Sequence, residues 1–161
     1  MLSRSASTRR LSQRRAIVSA ELALTLPLLI LLLLSIAEIG LILADSLALG
    51  SVCRESVRAA ALGKSTSEIR ALGLASAPPS LPLAAGNFTL ECRTQTDGVW
   101  GTWSVLGDIL SGSLLVNDAA EGAQVRVTLT YQHPLIAGPL IQGANQNGTI
   151  TLRTSSVALH F

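Results

Sequence analysis

Between Glu21 and Glu38 the chain runs sixteen residues without a single charge, and nine of them are leucine. With its flanks the apolar stretch reaches from Ala16 to Ala44, and Glu21, Thr25, Ser35 and Glu38 are its main polar interruptions. At a rise of 1.5 Å per residue, about twenty such residues cross roughly 30 Å of hydrocarbon. A helix of this composition is apolar all round and does not suit the one-sided burial that a small soluble domain offers. Pro27 lies inside the stretch. It would disrupt a soluble helix, but membrane helices tolerate such residues.

Charge is distributed around this block unevenly. The chain has 161 residues, twelve Lys and Arg against ten Asp and Glu, and a net charge of +2. Five of the cations (Arg4, Arg9, Arg10, Arg14 and Arg15) precede the apolar block, and no acid occurs before Glu21. From Ile17 onward seven cations face ten acids, a net −3. The basic isoelectric point of about 8.9 therefore belongs to a leader rather than to the body. No nucleic-acid partner is expected, because that reading needs a basic patch on a folded surface. The positive-inside rule predicts a single-pass protein with residues 1–16 as a cytoplasmic leader, 17–44 as a transmembrane helix, and the remainder outside. At 48% hydrophobic and only 14% charged, the chain is neither disordered nor an ordinary soluble enzyme.

Beyond Ala44 the pattern becomes amphipathic. Leu49, Val52, Cys53, Ser56 and Ala60 recur at helical spacing, with Arg54, Glu55 and Arg58 off the stripe. The membrane helix is expected to continue to Leu62, with Gly63 as its C-terminal cap. Ser65 and Glu68 form a capping-box pattern that opens a short helix to about Ala75. Pro78, Pro79 and Pro82 then mark a linker. From there the period falls to two. Asn87–Arg93 and Gln124–Tyr131 alternate as strands, and Val99–Leu106 and Gly148–Leu159 are expected to be strands as well. Turns are expected at Gly138-Pro139 and in Asn145–Gly148. Residues 45–77 thus form an extracytoplasmic helical segment and 78–161 a small β-rich domain. The expected fold class is α+β: a long N-terminal transmembrane helix continuing into an amphipathic helix, followed by a small antiparallel sheet. Gly40, Ala44 and Ala48 add a face of small residues on which another helix could pack.

No residues assemble a catalytic or metal site in the sequence. The glycine that should begin the phosphate-loop pattern ending at Gly63-Lys64-Ser65-Thr66 is replaced by Arg58, and a helix precedes it where a strand is required. No G-x-S-x-G occurs, and Cys53, Cys92, His133 and His160 lack zinc spacing. Both histidines are expected at the surface. No enzyme activity, cofactor, metal or small-molecule substrate is expected. Cys53 and Cys92 both fall on the exported side, where they form a candidate disulfide beside the alternative of two buried thiols.

Arg14-Arg15-Ala16-Ile17-Val18-Ser19-Ala20-Glu21 resembles the processing site of type IV prepilins: a basic leader, a small residue, then Glu at the fifth mature position. The segments Glu21–Leu29, Ile36–Gly40 and Ser51–Ala61 together resemble the TadE-like family, pseudopilins and accessory proteins of the tight-adherence (Flp) pilus machinery. The family usually has glycine before the cleaved bond and an aromatic after the Glu, where this chain has Ala16 and Leu22. The resemblance implies cleavage between Ala16 and Ile17 by a prepilin peptidase. It also implies that Glu21 pairs with a freed α-amine during assembly, and that other pilin-like subunits, the pilus assembly platform and the membrane are the partners. Two competing readings are a secreted or membrane-tethered binding module behind an ordinary signal peptide, cut after Ala48, and a membrane-tethered enzyme, for which no residue constellation is present.

Overall fold

The computed structural model describes residues 5–136 and 148–161, with side chains described at Ser19 and from Glu21 onward. The turns expected at Gly138-Pro139 and at 145–147 lie outside the described residues. Two compact units partition the chain, Met1–Gly40 and Leu41–Phe161. The fold is α+β, with one long apolar helix, a second short helix and small antiparallel sheets.

Among the described residues the first unit is formed by helix α1 (Ser5–Ala61), which contains Pro27 without ending there and continues into the second unit. Its leucines are exposed on every face, Leu24 to 80%, and Leu22, Leu28, Leu31 and Leu33 all exceed half exposure. Thr25 donates its hydroxyl to the Glu21 carbonyl at 3.0 Å, and Ser35 donates to the Leu31 carbonyl at 2.8 Å. Both hydroxyls are therefore satisfied within the helix, as an apolar surrounding demands. The stretch Glu21–Ala61 is long and apolar enough to cross a membrane.

In the second unit the end of α1 becomes one-sided. Leu49, Val52, Cys53, Ser56, Val57 and Ala60 are buried, while Arg54, Glu55 and Arg58 face solvent, as the helical spacing predicts. That stripe packs with Phe88, Leu90, Val125, Val127, Leu129 and Tyr131 in one core. Gly63, at φ +76°, ends the helix by donating its amide to the Ala60 carbonyl. Helix α2 (Thr66–Ser76) starts with the expected capping box: Glu68 N–H donates to Ser65 Oγ, and Ser65 N–H donates to the Glu68 carboxylate.

The main sheet joins β1 (Phe88–Arg93), β4 (Ser104–Val105), β7 (Gln124–Pro134) and β8 (Thr149–Leu159) in the order β4-β1-β7-β8, all antiparallel. The expected strand over Val99–Leu106 is split. β2 (Gln95–Thr96) and β3 (Val99–Trp100) make a hairpin, and Gly101–Trp103 separates it from β4. Asp97 (φ 52°) and Gly98 (φ 80°) occupy the two positions of its turn, where a left-handed backbone is required. A further hairpin, β5 (Asp108–Ser111) with β6 (Leu114–Asn117), has no counterpart in the sequence reading. Its base is fixed to the helices: Thr66 N–H donates to Asp108 at 2.7 Å, and buried Asn117 donates to the carbonyls of Ala60 and Lys64.

Gly73 sets the approach of α2 to this core. A Cβ there would lie 2.5 Å from both the Phe88 ring and Ser56 Oγ, closer than carbon contacts allow. Gly73→Ala is expected to lower the unfolding free energy by about 1–3 kcal/mol, because buried Phe88 and Ser56 must shift. Thermal melting of the detergent-solubilised chain checks this, and an unchanged midpoint would contradict it.

Candidate functional site

Ala16, Ile17 and Glu21 all lie on α1. The Ala16 and Ile17 side chains are outside the described residues. Along a helix, Ile17 and Glu21 are four residues apart, about 6 Å of axial rise and one turn. Glu21 is exposed, and among the described residues its carboxylate has no ion-pair partner. Gly40 and Ala44 are exposed as well, and nothing lies within 4 Å of a Cβ built on Gly40. The small-residue face is thus open on that side. Glu38, the second acid of the apolar helix, is only 3% exposed.

The structure corrects the cysteine pairing. Cys53 and Cys92 are both free thiols. Cys53 lies in the core, its Sγ 3.1 Å from the Val127 carbonyl to which it donates. Cys92 stands opposite Val125 on β1, its Sγ 3.5 Å from Ser104 Oγ. Each sulfur has its own neighbour, and the alternative of two buried thiols describes Cys53 but not the half-buried Cys92.

The structure also corrects the expectation for His133, which is buried. Its Nδ1 lies 2.7 Å from Asp45 Oδ2, and both side chains are largely withdrawn from solvent. Burial, and then the nearby Asp45 charge, push the Tyr131 hydroxyl above its ordinary pKa. Asp45, Tyr131 and His133 therefore form a polar group inside the second unit, joining α1 to β7. The sequence carried a signal for both ends of this pair. Asp45 precedes Leu49 by four residues and Val52 by seven, on the buried helix stripe. His133 shares strand parity with Val125, Val127, Leu129 and Tyr131.

A second polar group lies on the face of the sheet opposite α1. Glu91 and Arg126 are directly opposed across β1 and β7 and form an ion pair at 2.6 Å. Arg93 lies over the rings of Trp100 and Trp103, and Arg126 lies over Trp103, with guanidinium carbons 4.1–5.2 Å from the ring centres. These residues are partly exposed.

No curated protein and no solved structure matches the chain. The family model described as TadE-like protein matches residues 16–58, about a quarter of the chain. The match takes in Ala16, Ile17, Glu21, Pro27, Glu38 and the helix that packs on the sheet as far as Arg58. Over residues 16–58, from the candidate cleavage bond to the core-forming end of α1, this chain is similar to the TadE-like family.

Proposed function

We propose that this chain is a membrane-anchored pseudopilin, a structural or assembly component of a tight-adherence (Flp) pilus or a related secretion system, without catalysis of its own. The TadE-like segment links the chain to that pilus machinery. The observation that carries the finer reading is helix α1, apolar on all sides from Leu22 to Ala37 in the first unit and one-sided in the second. Such an element rests in lipid and then exchanges lipid for other helices, while its far end stays fixed in a small domain. The Arg-rich leader is cytoplasmic and the body is outside. Ala16 is small enough for a peptidase pocket that excludes bulk, and cleavage before Ile17 would remove all five leader cations. The partners are other pilin-like subunits, the assembly platform and a prepilin peptidase.

The alternative, a module secreted by an ordinary signal peptide, requires a cut near Ala48. That cut would separate Asp45 from His133 and leave buried Leu49 at a free terminus. The buried pair thus supports retention of the helix. N-terminal sequencing of the membrane fraction distinguishes the two: a start at Met1 or Ile17 is expected, and a start at Leu49 would overturn the anchored reading. A reporter fused after Phe161 is expected to be active outside the cytoplasm, and cytoplasmic activity would reverse the topology.

A further inference from the structure

The Trp–Arg group on the outer face of the sheet has no role in anchoring the chain or in packing its core. Its geometry is built by local chain reversal. β1 ends at Arg93, the Asp97-Gly98 turn sends the chain back through Trp100, and Trp103 immediately precedes β4, which pairs again with β1. Both tryptophans of the chain are thereby returned to the single arginine that ends β1.

Arg93 is held on two sides. Its plane lies over the two indoles, and its Nε donates to Gln124 Oε1 at 2.9 Å. Among the described residues, its terminal nitrogens have no carboxylate partner, because Glu91 is engaged by Arg126 at 2.6 Å. Two guanidiniums therefore face one carboxylate, which leaves an uncompensated positive charge whose donors are already oriented. A guanidinium fixed in this way loses little freedom on binding and matches a carboxylate with two parallel hydrogen bonds. Apolar surface adjoins it: Val105 and Val157, opposite Glu91 and Arg126 in the sheet register, are exposed. Tryptophan and arginine beside such surface are the residue types that dominate protein–protein contacts.

We propose that this face docks an acidic segment of a protein partner. Arg93 takes a carboxylate side chain of that segment, and Trp100 and Trp103 take the apolar residue next to it. Charge complementarity selects the occupant: the unmatched charge is positive, and its planar fork selects a carboxylate over a neutral amide. The proposal does not depend on the role of α1.

The test uses the full chain in detergent micelles, with a short blocked peptide of alternating leucine and glutamate as the probe. The only two tryptophans of the chain stand in the site, so their fluorescence reports occupancy directly. A saturable fluorescence change is expected. It should weaken about tenfold with the glutamine version of the peptide, the cost of losing a charge-assisted bidentate pair. Arg93→Lys keeps the charge but loses the fork, and is expected to weaken the glutamate peptide by a similar factor while the melting curve is retained. Equal binding of the two peptides to the wild-type chain, binding of neither, or an unchanged affinity in a folded Arg93→Lys chain would each overturn the proposal. The wild-type peptide comparison decides the matter even if the variant misfolds.

Discussion

Glu21→Ala protein is expected to lose its leader as the wild type does, yet to co-purify with other pilin-like subunits more than about tenfold less. Cleavage before Ile17 creates an α-amine one helical turn from Glu21. On the proposed topology Glu21 would lie near the headgroup edge, where solvent would tolerate its charge. In a bundle of apolar helices, both charges lose water, and an unpaired one costs several kcal/mol. Pairing offsets much of that cost, and ~1.4 kcal/mol is already a factor of ten in association. Glu21 is exposed on α1 and so open to such a partner. The companion variant separates the two steps. Ala16→Leu places a bulky residue before the bond and is expected to block maturation, which gel mobility reads as retention of the leader. Normal assembly by Glu21→Ala protein would remove the pairing role even where cleavage holds.

The second large effect belongs to the Asp45–His133 pair. Asp45→Ala leaves a buried imidazole without the carboxylate 2.7 Å from its Nδ1, in a site where both side chains are largely shielded. Removing one partner of a buried hydrogen bond costs about 1–3 kcal/mol, against roughly 5–15 kcal/mol for the whole of a typical domain. The variant is expected to melt below the wild type in detergent. Adding His133→Leu is expected to restore part of the loss, because an apolar side chain there needs no hydrogen bond from position 45. Equal midpoints for Asp45→Ala and wild type would show that the contact contributes little.

How far these elements could be read in advance depends on whether their cause was local. The apolar run, the buried stripe from Leu49 to Ala60, the Ser65–Glu68 cap and the alternation of Gln124–Tyr131 all follow from neighbours within a few residues, and they stand in the structure as the spacing implies. The β5–β6 hairpin was not legible. Its strands are short and apolar on both faces, and its position rests on distant anchors, Asp108 to Thr66 and Asn117 to Ala60. Val99–Leu106 looked like one strand because tryptophan and valine favour that state, but Gly101 breaks it and lets the chain return to β1. His133 precedes a proline at a strand end, which by itself suggests a surface position. Its strand parity, taken together with the helix position of Asp45, pointed inward. At the candidate site, Glu21 and the bond before Ile17 were visible through their resemblance to prepilin processing sites. The Trp–Arg group was not, since residues 93 and 126 meet only through strand register.

In the proposed role, the leucine-rich part of α1 leaves lipid to pack against other pilin-like helices. A photo-reactive amino acid placed at Leu29, which is exposed on the helix and distant from Glu21 by two turns, tests it in cells that assemble pili. Discrete adducts between this chain and other pilin-like subunits are expected, and they should be lost when the assembly platform is deleted. A Leu29 probe that yields no protein adduct while pili form normally would contradict it.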